Sequence, residues 1–316
     1  MKKSLLFLGI FFFLTNVNAQ IFNVADPQLV IKAENNNFFM NPVFSNDGNT
    51  IAYTGSNYKG IYLYDVNSKT STQLTDEDAA GFSYKWSSDS KYLLTKPAMF
   101  DKDGKRFNFI KLFNAETKEG KVISEYTTSS IGLPEFSNNN DAVFYFTKQL
   151  EVKSTGITTN KAVNSSNDNF IYLDFDKVIV ENRNNNTKTI IANFNGSTLL
   201  NLAISLDKKQ VAFEVMGGHL YTVNIDGTSL TDLEFGYRPK WSADGKFLTY
   251  TITKDDGYNF TESDIYVYDL AKQLKQNLTD TPDVLELSPS FSPDGKSIIY
   301  QNFNDGSIYS INITAK

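Results

Sequence analysis

The 316 residues include no cysteine and a single histidine. Without cysteine there can be no disulfide, no thiolate metal site and no cysteine nucleophile. One histidine, His219, cannot build a histidine-cluster metal site. Basic clusters are also missing. The net charge is −6 and the isoelectric point is near 5.0, and the charge becomes more negative still if Lys2 and Lys3 are removed. Such a surface repels nucleic acid and anionic lipid. No convincing amphipathic helix occurs, and after residue 14 no apolar run is long enough to cross a membrane. What remains is a chain large enough to bury a core without covalent staples.

The first residues read as a secretory signal. Lys2 and Lys3 precede the apolar run Leu5 to Leu14, and Val17-Asn18-Ala19 supplies small residues for cleavage. The expected organisation is a signal peptide over 1–19 and one domain over 20–316, in the periplasm or secreted. No cysteine stands at the cleavage point to carry a lipid.

The rest of the chain has the periodicity of strands. Runs such as "GIYLYDV" (60–66) and "DIYVYDL" (264–270) are apolar on both faces, and Gly, Asn and Asp clusters punctuate them. "FSPDGKSIIY" (291–300) has near-copies at 44–53, 86–95 and 241–250. Its Asp-Gly pair suits a hairpin, because Asp bonds its own following backbone and Gly accepts a positive φ. Pro42, Pro134, Pro239 and Pro289 precede the aromatic, where a strand can begin without its first N–H. Every part of the motif has a structural task, and none supplies a nucleophile or a base.

Counting the hairpins predicts an architecture. The turn serine recurs at Ser45, Ser87, Ser137, Ser205, Ser242 and Ser292, and a worn copy aligns Tyr172 with Ser205. The steps are 42, 50, 35, 33, 37 and 50 residues, near the length of a four-stranded propeller blade. After Ser292 only 24 residues remain, about three strands, so "PQLVIK" (27–32) is expected to supply the fourth and close the ring. The predicted fold is an all-β, seven-bladed β-propeller closed by an N-terminal strand. Six blades result if the Tyr172 unit merges with its neighbour; a sandwich does not predict the displaced strand.

The pattern P-x-[FW]-S-x-D-G-K-x-[ILV]-x-[YF], followed by "DIYVYDL" and "QNLT" (276–279), resembles the TolB-like β-propeller family, whose repeats are related to WD-type repeats. The resemblance covers about residues 27–316. It is closest in the units at Ser45, Ser242 and Ser292, partial at Ser87 and Ser137, and faint at Tyr172 and Ser205. It implies an extracytoplasmic binding propeller. The chain departs from TolB itself, whose propeller follows a separate α/β domain, and no G-x-S-x-G follows the repeats as in propeller-bearing serine peptidases.

Local signals for chemistry are few. His219, in "GGHLYTV", is expected at a strand edge. "DKDG" (101–104) lacks the spacing and the twelfth-position glutamate of a calcium loop, where Leu112 stands instead. The Asn-x-Ser/Thr triplets at Asn164, Asn185, Asn195, Asn259, Asn277 and Asn312 are uninformative in an Asn-rich chain. A carboxylate pair for glycoside hydrolysis is not identifiable. The expectation is therefore a protein that is not an enzyme and needs no cofactor, metal or nucleic acid: a monomeric binding or scaffold propeller for an extracytoplasmic protein or glycan. The alternative is a propeller enzyme acting on polysaccharide or peptide. Propeller topology would gather the long connections 76–83, 96–108, 125–133, 253–263 and 280–288 on one face. The binding residues expected there are Phe100, Asp101, Arg106 and Phe107 on one lip and Asp255, Asp256, Tyr258 and Phe260 on the other.

Overall fold

The computed structural model describes residues 20–34, 37–129, 132–147, 149, 151–158 and 169–316; the expected signal peptide lies outside them. Seven antiparallel sheets form the blades of a propeller. Blade 1 comprises Met40–Phe44, Thr50–Thr54, Ile61–Asp65 and Thr70–Thr75. Blade 2 comprises Tyr84–Trp86, Tyr92–Thr95, Lys111–Asn114 and Gly120–Val122. Among the described residues, blade 3 (Glu135–Phe136, Ala142–Phe146, Val152–Gly156) and blade 4 (Asn169–Asp174, Lys177–Asn182, Thr187–Asn193) each show three strands. Blade 5 begins with Leu199–Ile204, blade 6 with Tyr237–Trp241 and blade 7 with Glu286–Phe291. The unit around Tyr172 is thus a blade of its own.

The closure is as expected, and wider. Gln28–Ile31 pairs with Ile308 to Ser310 of the last strand. A second segment, Phe22–Val24, pairs with the far end of that strand, Ile313 to Ala315. Gln276 of blade 6 fastens this segment, its Oε1 accepting from the backbone of Ile21 (2.6 Å) and Phe22 (2.8 Å). Where blade 7 meets blade 1, Ile31, Ile51, Tyr53, Ile299 and Ile308 share one apolar cluster.

The repeated serine is the hub of each turn. Ser45 Oγ donates to Asp47 Oδ1 (2.6 Å) and accepts from Thr50 N (3.0 Å), the residue that opens the next strand. The same pair of bonds recurs at Ser87, Ser205, Ser242 and Ser292, and Asp141 takes the acid's place at Ser137. The position needing a positive φ is Gly48, Gly245 or Gly295 in the full copies and Ser90, Asn140 or Lys208 in the worn ones. Blade 4 departs from the alignment. Asp174 pairs with Lys177 across a tighter hairpin, and Tyr172 lies two residues inside the strand. The prolines also sit differently. Pro42, Pro239 and Pro289 lie within first strands, each just after a residue at positive φ (Asn41, Arg238 and Ser288) where the register shifts. A β-bulge leaves one N–H out of the ladder, so proline costs no hydrogen bond there.

Candidate functional site

The innermost strands enclose a central channel of about 790 Å³. Alternation along a strand sends every second side chain inward, and two inward positions matter. Two residues before the turn serine stand Val43, Lys85, Glu135, Ala203, Lys240 and Ser290, all lining the channel. Four residues before it stand Asn41, Ser83, Leu133, Asn201, Arg238 and Ser288. This second level includes the bulge residues at positive φ, and all but Ser288 are in the channel lining. Blade 4 contributes Ile171, Tyr172 and Leu173.

The charge in this channel opposes that of the whole chain. Lys85, Lys208, Arg238 and Lys240 line it, against two acids, Glu135 and Asp207. Lys85 and Glu135, on adjacent blades, are in direct contact as an ion pair. Burial first, then Lys240 and Lys208, push the Lys85 amine down, while its direct ion pair with Glu135 favours the charged ammonium. Burial, followed by Arg238, lowers Lys240 to about 8. Among the described residues the Lys240 ammonium meets no hydrogen-bond or ion-pair partner. Lys208 occupies the turn position that is glycine in the full copies, with φ +54°, and its Nζ donates to Phe136 O (2.8 Å) on blade 3.

Arg238 shapes the mouth on the side of the long connections. Its backbone N–H is held by Glu214, whose carboxylate also accepts from Asn201 Nδ2 (2.9 Å). Its guanidinium donates to Ser288 Oγ (3.1 Å) and to the Tyr58 hydroxyl (2.9 Å) of blade 1. These partners are neutral, while the buried Glu214 carboxylate lies within reach of the guanidinium's charge. Tyr58 and Phe82 pack edge to face (5.3 Å) beside it, and both line the channel.

None of the eight residues expected on the lips lines the channel. The connection 96–108 folds into a hairpin, Ala98–Phe100 with Arg106–Asn108, that pairs Phe100 with Arg106. Bridges from Asp78 to Ala98 and from Asn108 to Thr127 tie the neighbouring connections to it, and Ser263 bridges to Leu285 on blade 7. The acids serve their own turns. Asp101 Oδ1 accepts from Asp103 N and Lys105 N, Asp255 Oδ1 from Gly257 N, and Asp256 Oδ1 from Tyr258 N and Asn259 N. Tyr258 is 95% exposed at the tip of the blade 6 hairpin, and Phe260 meets Phe303 edge to face. No contact joins the two lips among the described residues. His219 stands at the blade 5 edge, as expected, with Nδ1 2.9 Å from Asp232 Oδ2.

No family model matches the chain. Over 63 residues it is 38% identical to dipeptidyl-peptidase 5 of Porphyromonas gingivalis, which is 19% of this chain and 9% of that protein. Among solved structures it is similar to an oligogalacturonate lyase in complex with manganese, with 14% identity, 87% of this chain, 76% of that chain and a TM-score of 0.50. It is similar also to U3-55K, with 12% identity, 91% of this chain, 98% of that chain and a TM-score of 0.63. At these identities the solved structures show the fold.

The expectation that the chain is not an enzyme is corrected by these findings, since a peptidase and a lyase stand among the proteins it resembles. The physical reason it misled is geometric. Lys85, Glu135 and Lys240 come from blades 2, 3 and 6, far apart in sequence, so no local motif announces them. The available signal was positional: the residue two before each turn serine faces the channel. Among the described residues no three His, Cys, Asp or Glu side chains gather as metal donors, and no helix is long and apolar enough to cross a membrane.

Proposed function

We propose that the chain is an exported, TolB-like propeller enzyme that acts on a carboxylate-bearing polysaccharide held in the central channel. One observation carries this reading. A chain of net charge −6 places Lys85, Lys208, Arg238 and Lys240 around one cavity. Burying like charges together costs folding energy, and an anionic ligand offsets that cost. Arg238 and Lys240 flank Pro239 on one strand and stand at the two channel-facing levels. Cations at successive levels suit a polymer with a carboxylate on every unit better than a peptide with scattered acids. The aromatic rings of Tyr58 and Phe82 offer apolar faces to sugar rings. The fold shared with an oligogalacturonate lyase agrees with such a substrate, and the Lys2-Lys3 signal agrees with an extracytoplasmic one. In this reading Phe100, Asp101, Arg106, Phe107, Asp255, Asp256, Tyr258 and Phe260 are outer contacts for long chains that overhang the mouth.

A peptide substrate is the second reading, favoured by the 63-residue match to a peptidase. Titration of the protein beginning at Gln20 with acidic oligosaccharides, neutral oligosaccharides and acidic peptides separates the two. The first reading expects acidic oligosaccharides alone to bind tightly, with an affinity that falls as salt is raised. Equal binding of neutral sugars, or binding of peptides only, refutes it.

A further inference from the structure

We propose that Glu214 sets how tightly the channel mouth holds an anion, by fixing Arg238 in place and opposing part of its charge. The inference rests on the reading of the channel as a site for an acidic polysaccharide and names the residue that tunes binding there. Glu214 stands behind the channel lining rather than in it. It belongs to Gln210–Val215, the second strand of blade 5, and is 5% exposed.

The carboxylate joins two blades at their bulges. Arg238 and Asn201 have φ of +55° and +50°, and the register of each first strand shifts where they stand. A bulge takes an N–H out of the ladder, and a buried N–H needs another acceptor. Glu214 Oε1 accepts that N–H from Arg238, and it also accepts from Asn201 Nδ2 (2.9 Å). One oxygen therefore holds a lining residue of blade 5 to a lining residue of blade 6.

The guanidinium itself reaches Ser288 Oγ (3.1 Å) and the Tyr58 hydroxyl (2.9 Å), and neither bond offsets its charge. Glu214 does. Burial raises the Glu214 carboxyl above its ordinary range, and the Arg238 charge is among the influences that pull it back. An anion at the mouth meets the attraction of one residue and the repulsion of the other.

The other blades show that the N–H alone does not call for a charge. Among blades with a turn serine, blades 5, 6 and 7 are each followed round the ring by a bulged first strand. Nine residues after the serine they carry Glu214, Thr251 and Gln301, all buried. The bulge residues that follow are Arg238, Ser288 and Asn41 respectively. The carboxylate thus occurs where the next bulge residue is the arginine, and neutral residues serve elsewhere. Burying a carboxylate is costly unless it is matched by a charge. An enzyme must also release its anionic product, and an arginine held firmly but partly offset serves both needs.

The experiment uses the protein beginning at Gln20 at about pH 8, where carboxylates are ionised, with oligogalacturonides and neutral oligosaccharides as probes in calorimetry. Glu214→Gln keeps an acceptor for the Arg238 N–H and removes the opposing charge. Its affinity for the acidic probe should rise about 3- to 10-fold, with no gain for the neutral one. A merely structural role would give a loss instead. Glu214→Leu also removes the acceptor, so it should bind the acidic probe more weakly than Glu214→Gln does. That gap should close when both changes are made in an Arg238→Met background, because it arises from the placement of Arg238. Unchanged or weaker binding by Glu214→Gln, an equal gain for neutral sugars, or a gap that survives in Arg238→Met would overturn the inference and leave the binding reading standing. Failure of the native protein to bind the acidic probe would remove the binding reading, and this inference with it.

Discussion

The turn serines and the residues two and four places before them lie on the same strands, yet they behave oppositely from blade to blade. At the turns the bonding is nearly one pattern: serine to acid, and serine to the first residue of the next strand, in blades 1, 2, 5, 6 and 7. At the channel positions no such uniformity holds. Val43, Lys85, Glu135, Ala203, Lys240 and Ser290 share a place in the fold and almost nothing in chemistry. Positions that repeat solve a problem every blade has, which is how to close a hairpin. Positions that differ face a space that belongs to all the blades at once, and each blade can contribute something different to it.

Substitutions at the two kinds of position should separate cleanly. The largest effect is expected from Arg238→Met combined with Lys240→Met. Two charge-assisted contacts of about 1.5–3 kcal/mol each correspond to a loss of affinity for acidic oligosaccharides of about 100-fold or more, read by calorimetry. Lys240→Met alone should hold or raise the melting temperature, because a buried cation is gone, whereas the double variant also loses the Arg238 bonds to Ser288 and Tyr58.

Next comes Glu286, on the first strand of blade 7 six residues before Ser292. It is 1% exposed, accepts from Thr281 Oγ1 and has Asp264 beside it. Burial first, opposed by hydrogen bonds and helped by the Asp264 charge, raises its carboxyl from 4.5 to about 7. The folded protein therefore binds the extra proton between these values, and stability should fall as pH rises from about 4.5 to 7, then level off. Glu286→Gln should remove that slope. Its gain over the native chain should reach up to about 3 kcal/mol at pH 8 and be near zero at pH 4, as denaturant melts at the two pH values would show.

A smaller effect is expected at a turn. Ser45→Ala leaves Thr50 N (3.0 Å) and Asp47 without their shared partner, costing about 1–2 kcal/mol of stability with turnover unchanged. A change in turnover there would break the separation between the two classes of position. The smallest is Tyr258→Ala with Phe107→Ala. Stability should fall by no more than about 1 kcal/mol, since Tyr258 is exposed and Phe107 half-buried. Affinity should drop a few-fold for long oligosaccharides and not for short ones, which compares the lips with the channel directly.

Much of the fold was legible because its signals are local. An Asp-Gly pair between apolar runs specifies a hairpin from backbone conformation alone in three blades, and the recurring turn serine with a displaced strand specifies a closed ring by counting. Even so, proline misled slightly, since a bulge at Asn41, Arg238 or Ser288 depends on how a strand bends around the axis. The second closing segment, Phe22–Val24, had no signal either, because it is three residues long and buries only Phe22.

The sequence by itself therefore determined the blades and the strand that closes them, since each rests on turn chemistry and apolar patterning within a few tens of residues, while the structure decided seven blades over six. Only the tertiary structure decided the site. Lys85 and Glu135 are 50 residues apart and in contact, and Arg238 reaches Tyr58 across 180. Ring closure converts residues that look like ordinary polar positions on separate strands into the wall of one cavity. There, burial and mutual repulsion change what a lysine can do.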